Sequence, residues 1–125
     1  MSMVIKMKKK KNIINSFKYA FEGIFSGLKT ERNLKIHFSI MILVIILGII
    51  LKISKVEWMI CIILFGLVIS LELVNTAIEN TVDLITEEKN PKAKISKDVA
   101  AGAVLVSAIS SFIIGLIIFI PKIFY

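Results

Sequence analysis

Three long apolar runs constrain the fold of this chain more than any other feature. They cover approximately residues 34–51, 58–85 and 99–120, and the last of them contains no charged side chain. A helix needs about 20 apolar residues to cross the hydrocarbon core of a bilayer. The hydrophobic fraction of 57% also exceeds the roughly 45–50% that is typical of soluble domains. The sequence therefore predicts a single all-α integral membrane domain, residues 1–125, with three membrane-spanning helices.

Basic residues are distributed unevenly around these runs. Thirteen of the 16 Lys and Arg residues lie before or at the beginning of the first run, or between the second and third runs. Short loops rich in Lys and Arg remain in the cytoplasm. We therefore expect a cytoplasmic N-terminus and second loop, and an external first loop and C-terminus. Nucleic-acid binding is the competing interpretation of a net charge of +7, but these charges flank apolar runs, as juxtamembrane charges do.

The segment before the first run divides into two parts. Residues 1–11 form a basic tail, and residues 12–29 show the periodicity of an amphipathic helix, with Phe17, Phe21 and Leu28 on the apolar side. This helix is too polar to span a bilayer. We expect it to lie in the cytoplasmic interface as a surface helix. Packing on its own protein is the alternative, and the two are compatible.

Several residues predict where the spanning helices begin and end. Residues 52–57 are expected to form a tight external turn, followed by Trp58 as an interfacial anchor. Residues 87–97 are expected to form a polar loop in which Ser96 is the N-cap of the third spanning helix. Pro121 is expected to end that helix.

The second run carries a polar stripe that indicates chemistry. With about 100° per residue, its polar side chains fall within roughly 100° of arc; they are Glu72, Asn75, Thr76, Glu79 and Asp83. Carboxylates repel each other, and each costs about 2.5–3.5 kcal/mol near the bilayer centre. Mg²⁺ offsets both penalties, since it binds one or two carboxylates and shares its other positions with water and phosphates. The stripe therefore predicts phosphoryl transfer, in which a separate carboxylate deprotonates the attacking hydroxyl.

The position of each acid suggests its role. Glu72 lies nearest the lipid and is best placed to meet a lipid hydroxyl, whereas Glu79 lies about two turns closer to the cytoplasm. Glu31, before the first span, can supply a second carboxylate to the metal. Lys97, beside Asp98, can pair with phosphate. His37 is expected to be an interfacial helix residue, since one His without a second His or a suitable Cys makes no zinc site.

These motifs resemble a known family. The string Glu72-Leu-Val-Asn75-Thr-Ala-Ile-Glu79 with Asp83, followed by Lys97-Asp98-Val-Ala-Ala-Gly-Ala, resembles the small bacterial membrane kinases of the diacylglycerol kinase and undecaprenol kinase family. Glu31-Arg32-Asn33 and Ile36-His37 are similar to the undecaprenol kinase branch. The resemblance extends over residues 12–120.

The resemblance implies a homotrimer of three-span protomers with a composite site between neighbours. It implies that Glu72 is the catalytic base toward the lipid substrate and that Glu31 and Glu79 bind the metal. Asn75 would help to order the site. The residues expected to bind ATP are Tyr19, Glu31, Asn75, Glu79, Asp83, Glu88, Lys89, Asn90, Lys97 and Asp98.

The expected function is phosphorylation of a membrane lipid alcohol by ATP with Mg²⁺ at the cytoplasmic face of the bacterial plasma membrane. The branch resemblance favours undecaprenol, which would yield undecaprenyl phosphate. Diacylglycerol, which would yield phosphatidic acid, is the alternative substrate. Two alternatives from other classes remain, namely a proton or cation pathway along the acidic stripe and a structural membrane protein. No nucleic-acid partner is expected.

Overall fold

The computed structural model describes residues 12–125, and the predicted basic tail, residues 1–11, lies outside this part of the chain. The described residues form four helices, which are α1 (Ile13–Thr30), α2 (Arg32–Ile50), α3 (Lys55–Ile85) and α4 (Pro91–Phe124). The last three are long and apolar enough to cross a membrane. The prediction of an all-α membrane protein is therefore confirmed.

Local side-chain bonds define where α1 and α3 begin. The Asn12 side chain accepts a hydrogen bond from the backbone N–H of Asn15 at 2.9 Å and caps α1. Ser54 and Glu57 form a reciprocal capping box at the beginning of α3, with bonds of 3.2 and 2.8 Å. This box satisfies backbone donors that a helix N-terminus otherwise leaves free. Lys52, at φ 53°, turns the chain between α2 and α3.

The bounds of α4 correct two expectations. Ser96 lies inside α4 and does not cap it, because Asn90 accepts hydrogen bonds from the backbone of Lys92 and Ala93. Pro91 then occupies the first turn, where its missing N–H has no helical partner to lose. Pro121 does not end the helix, which continues to Phe124. Pro121 removes one backbone hydrogen bond of the ladder, and the helix resumes its bonding after it, with the Tyr125 N–H donating to the Pro121 carbonyl at 3.0 Å.

Leu34 of α2 lies where the first three helices meet. Leu34 is completely buried. A Cβ atom added at Gly27 would lie 2.9 Å from Leu34 Cδ2 and 3.5 Å from Leu73 Cδ2. The absence of a side chain at Gly27 thus allows α1 to approach Leu34 of α2 and Leu73 of α3 closely.

The opposite end of the bundle has its own apolar cluster. Its buried members are Ile53, Cys61, Ile118 and Phe119, and Trp58 packs against them. An ion pair of 3.0 Å between Lys122 Nζ and Glu57 Oε1 joins the end of α4 to the beginning of α3. The lysine of this pair lies in the helical turn that follows Pro121.

Candidate active site

Two polar side chains are buried in the middle of α3. Glu72 is 2% exposed and Asn75 is 4% exposed. Thr76 donates its hydroxyl hydrogen bond to the backbone carbonyl of Glu72 at 3.0 Å, so this hydroxyl is used within its own helix. Buried polar groups require partners. The part of the stripe that holds Glu72 and Asn75 is therefore built into the packed protein, whereas Asp83 at its C-terminal end is exposed.

Asn75 is hydrogen-bonded to the next acid along the stripe. Its Nδ2 donates a hydrogen bond to Glu79 Oε1 at 3.1 Å. The amide orientation follows from this bond, because an amide oxygen facing the Glu79 carboxylate would be repelled. The remaining atom, Asn75 Oδ1, is buried and has no hydrogen-bond partner among the described residues. The site therefore contains an oxygen acceptor that is free to bind a cation or a donor.

Glu72 lies opposite His37 of α2. The Nε2 atom of His37 is 3.8 Å from Glu72 Oε2, and the two side chains are 20% and 3% exposed. The sequence interpretation of His37 as an interfacial residue missed this contact. The available signal was the spacing of Leu34 and His37, which places both on one face of α2.

Glu31 joins this group from the junction of α1 and α2. It follows α1, where its backbone N–H donates to the Gly27 carbonyl at 2.8 Å, and it precedes α2 without making a side-chain cap bond. Its carboxylate, like that of Glu79, interacts electrostatically with Glu72. The three predicted acids therefore belong to one region. Within residues 12–125, however, no three His, Cys, Asp or Glu side chains are arranged to hold a metal ion alone.

The residues expected to bind nucleotide lie at the end of α3 and the beginning of α4. Lys97 Nζ is 2.5 Å from Asp83 Oδ1. Lys94 Nζ is 2.6 Å from Asp98 Oδ2. Each of these two acids forms an ion pair with a lysine. The two lysine ammonium groups are the positive charges that this region can offer to a polyphosphate.

The other expected nucleotide residues are more dispersed. Tyr19 lies on α1 and is 52% exposed. Glu88 and Lys89 are exposed in the connection between α3 and α4. Asn90 uses its side chain to cap α4 and does not contribute it to the α3 stripe.

Two cavities lie beside α3. One, of about 400 Å³, lies between α2, α3 and α4; His37 is part of its wall, which is otherwise almost entirely apolar. The other, of about 390 Å³, lies between α1 and α3 beside Gly27, Thr76 and Asn80. Glu72 lines neither cavity; its neighbour His37 lines the first, and Thr76 is the stripe residue that lines the second.

Comparison with known proteins shows the family to which the chain belongs. The family model for prokaryotic diacylglycerol kinase matches residues 18–119. The chain is 52% identical over 107 residues to undecaprenol kinase of Bacillus subtilis (strain 168), covering 86% of this chain and 87% of that protein. It is 38% identical over 111 residues to diacylglycerol kinase of Synechocystis sp., covering 88% of this chain and 63% of that protein. It is 31% identical over 96 residues to diacylglycerol kinase of Haemophilus influenzae, covering 77% and 81% of the two chains.

The family match includes the complete α3 stripe and the Lys97-Asp98 pair, and extends over most of α1 to α4. This confirms the resemblance that the motifs indicated. The chain belongs to the prokaryotic diacylglycerol kinase family.

Proposed function

We propose that this protein phosphorylates undecaprenol at the cytoplasmic face of the membrane, with ATP as phosphoryl donor and Mg²⁺ as cofactor. The observation that carries the proposal is the Glu72 carboxylate, 2% exposed, on a helix that is long and apolar enough to cross a bilayer. An ionisable residue held inside a membrane helix is functional by default, because its insertion is costly. The 52% identity to an undecaprenol kinase supports the choice of lipid.

The reaction follows from the position of Glu72. Its carboxylate accepts the proton of the lipid hydroxyl while the hydroxyl oxygen attacks the γ-phosphorus of ATP. A bond forms between that oxygen and phosphorus, and the bond from phosphorus to the β–γ bridging oxygen breaks. ADP leaves, the lipid carries the phosphoryl group, and the proton remains on Glu72 until water removes it.

The residues present fit a magnesium ion that arrives with the nucleotide. Asn75 Oδ1 is a buried oxygen acceptor without a partner, and Glu79 is bonded to the same amide. Mg²⁺ binds oxygen ligands and commonly takes one or two carboxylates together with substrate phosphates. Glu79 and Glu31 would hold it, which is consistent with the absence of a complete protein-only metal cluster in residues 12–125. When bound, it neutralises charge on the phosphate oxygens.

The nucleotide is assigned to the α3–α4 end of the site. Lys97 and Asp83 already contact each other there, and Asp98 follows Lys97 on α4. Lys97 would pair with phosphate as a point charge. Tyr19, Glu88, Lys89 and Asn90 complete the proposed nucleotide set.

The proposal includes a membrane arrangement. The exposed aromatic residues Phe17, Phe21 and Phe25 of α1 are spaced by four residues and so share one side of the helix, which suits an amphipathic surface helix in the interface. The spanning segments are assigned to residues 34–51, 58–85 and 99–120, which lie in α2 with its C-cap Leu51, in α3 and in α4. The N-terminus and the α3–α4 connection are assigned to the cytoplasm, and the C-terminus to the outside.

A homotrimer is also part of the proposal. Cβ atoms added at Gly66 of α3 and Gly102 of α4 would meet no atom within 4 Å, so packing within the protomer does not require glycine at either position. Small residues allow helices of neighbouring chains to approach closely in lipid. A second protomer at these faces is consistent with the composite site that the family resemblance implies.

Diacylglycerol is the second candidate substrate, and it is favoured by the names of the relatives at 38% and 31% identity. The test is transfer of label from γ-labelled ATP to undecaprenol and to diacylglycerol, compared at equal lipid fraction in detergent micelles with and without Mg²⁺. We expect a higher kcat/KM for undecaprenol and no transfer without the metal. Transfer to diacylglycerol alone would replace the proposed substrate, and transfer to neither lipid would refute the proposed activity.

A further inference from the structure

His37 is a polar group at the site to which neither the sequence pattern nor the family assignment gives a role. We propose that His37 is a positioning residue that holds Oε2 of Glu72 and leaves the other carboxylate oxygen to receive the substrate proton. The inference rests on the proposed role of Glu72 as the base. It extends that function by naming the group that orients the base.

The contact is imposed by packing. Leu34 is fully buried where α1, α2 and α3 meet, close to Leu73. His37 follows Leu34 by three residues on the same face of α2, and Glu72 is the residue next to Leu73. The imidazole and the carboxylate are therefore brought to 3.8 Å by the same helix contact, with both side chains largely removed from solvent.

The charged groups around Glu72 support a role for His37. The carboxylates of Glu31 and Glu79 act unfavourably on a negative charge at Glu72, whereas His37 acts favourably on it. The lysines that form ion pairs in residues 12–125 are paired with Asp83, Asp98 and Glu57 instead. Asn75, on the same helix as Glu72, is the other donor to this carboxylate, and its amide also donates to Glu79 at 3.1 Å. His37 is the group that faces the Glu72 carboxylate from α2.

The separation also fits a positioning role. At 3.8 Å, Nε2 and Oε2 are beyond hydrogen-bond distance. Contacts of catalytic groups are often long before substrate binds and become shorter in the substrate complex. His37 also lines the apolar cavity between α2, α3 and α4, so it borders both that cavity and Glu72.

The test compares three substitutions of His37. His37→Leu removes the donor and keeps bulk, His37→Asn has an amide too short to reach Glu72, and His37→Gln places an amide N–H close to the position of Nε2. We expect the Leu and Asn variants to lower kcat about tenfold or more, as for a disturbed general base, with the KM for MgATP within about twofold. Gln should restore kcat to within about threefold of wild type.

A matched control and a reference variant separate the possible outcomes. Ser39→Ala, on the exposed side of the same helix, should leave kcat unchanged, and Glu72→Gln should remove turnover. Full kcat in all three His37 variants with an inactive Glu72→Gln would refute the role of His37 and leave the proposed function intact. Full turnover in Glu72→Gln would refute the base assignment and this inference together. Equal loss in the Gln and Asn variants, with reduced thermal stability in both, would also refute positioning, because it would show a purely structural role.

Discussion

Lys97, in the second turn of α4, and Asp83, near the end of α3, form an ion pair with 2.5 Å between Nζ and Oδ1. The pair bridges the connection between the two helices, and its side chains are 38% and 56% exposed. Both residues are proposed to contact the nucleotide. Before ATP binds, each therefore compensates the charge of the other, and Lys97 is already held at the position where phosphate would arrive.

Replacing Lys97 should weaken nucleotide binding more than it weakens the fold. For Lys97→Met we expect the KM for MgATP to rise about tenfold, because a charge-assisted bond contributes about 1.5–3 kcal/mol. Exposed ion pairs contribute little to stability, so thermal unfolding should change slightly. Steady-state kinetics at saturating lipid measures the first effect. Lys92→Met, which removes an exposed charge from the same helix, should leave the KM unchanged, and an unchanged KM in Lys97→Met would limit the ion pair to a structural role.

Glu72→Gln should abolish phosphoryl transfer and preserve nucleotide binding. Gln keeps the size of Glu but replaces one carboxylate oxygen with an NH2 group and cannot accept the hydroxyl proton, so kcat should fall by about 10²–10⁴, the usual contribution of a general base. MgATP affinity, measured by equilibrium binding to the purified protein, should stay within about twofold. Glu22→Gln, an exposed change on α1, is the control. Retained turnover in Glu72→Gln would exclude Glu72 as the base.

Glu79→Gln should instead shift the dependence on magnesium. A Gln at this position can still accept the hydrogen bond from Asn75 Nδ2, so the local structure is retained while the negative charge is lost. Mg²⁺ is bound through charged oxygen ligands. We expect the half-saturating Mg²⁺ concentration to rise severalfold at fixed ATP, by titration of initial rates. A curve that superimposes on that of the exposed control Glu87→Gln would count against a metal-binding role for Glu79.

The sequence predicted the helical membrane architecture well, because it depends on long-range composition. Runs of apolar residues and the 3.6-residue period require no knowledge of tertiary contacts. The ends of α4 were harder to predict. Ser96 is a favourable N-cap residue, but Asn90 caps the helix six residues earlier and Pro91 occupies its first turn. The helix therefore begins at Pro91 and not after Ser96.

The candidate site was predictable where one helix supplies it and less so where two helices meet. Glu72, Asn75 and Glu79 lie on α3, so their spacing alone placed them on one face. His37 comes from α2, and its contact with Glu72 depends on the packing of Leu34 beside Gly27. A pattern along one segment does not contain the register between two helices. Contacts of this kind therefore required the structure.

Gly48 should be a stability determinant at the end of the bundle away from the site. A Cβ atom added there would lie 2.7 and 2.9 Å from two atoms of the Trp58 ring and 3.1 Å from Ile53 Cδ1. The rigid indole packs against the buried cluster, so it cannot move away without disturbing neighbours. We expect Gly48→Ala to destabilise the protein by about 1–3 kcal/mol, as overpacking does.

The control for Gly48 is Gly66→Ala on α3, where the added Cβ meets no atom of the protomer within 4 Å. Alanine favours a helix over glycine by about 1 kcal/mol, so this change should be neutral or stabilising within the protomer. Unfolding titrations in detergent measure both variants. Equal stability of the two would mean that Trp58 can reorient, and lower stability of Gly66→Ala would instead indicate a close helix contact with a neighbouring protomer at that face.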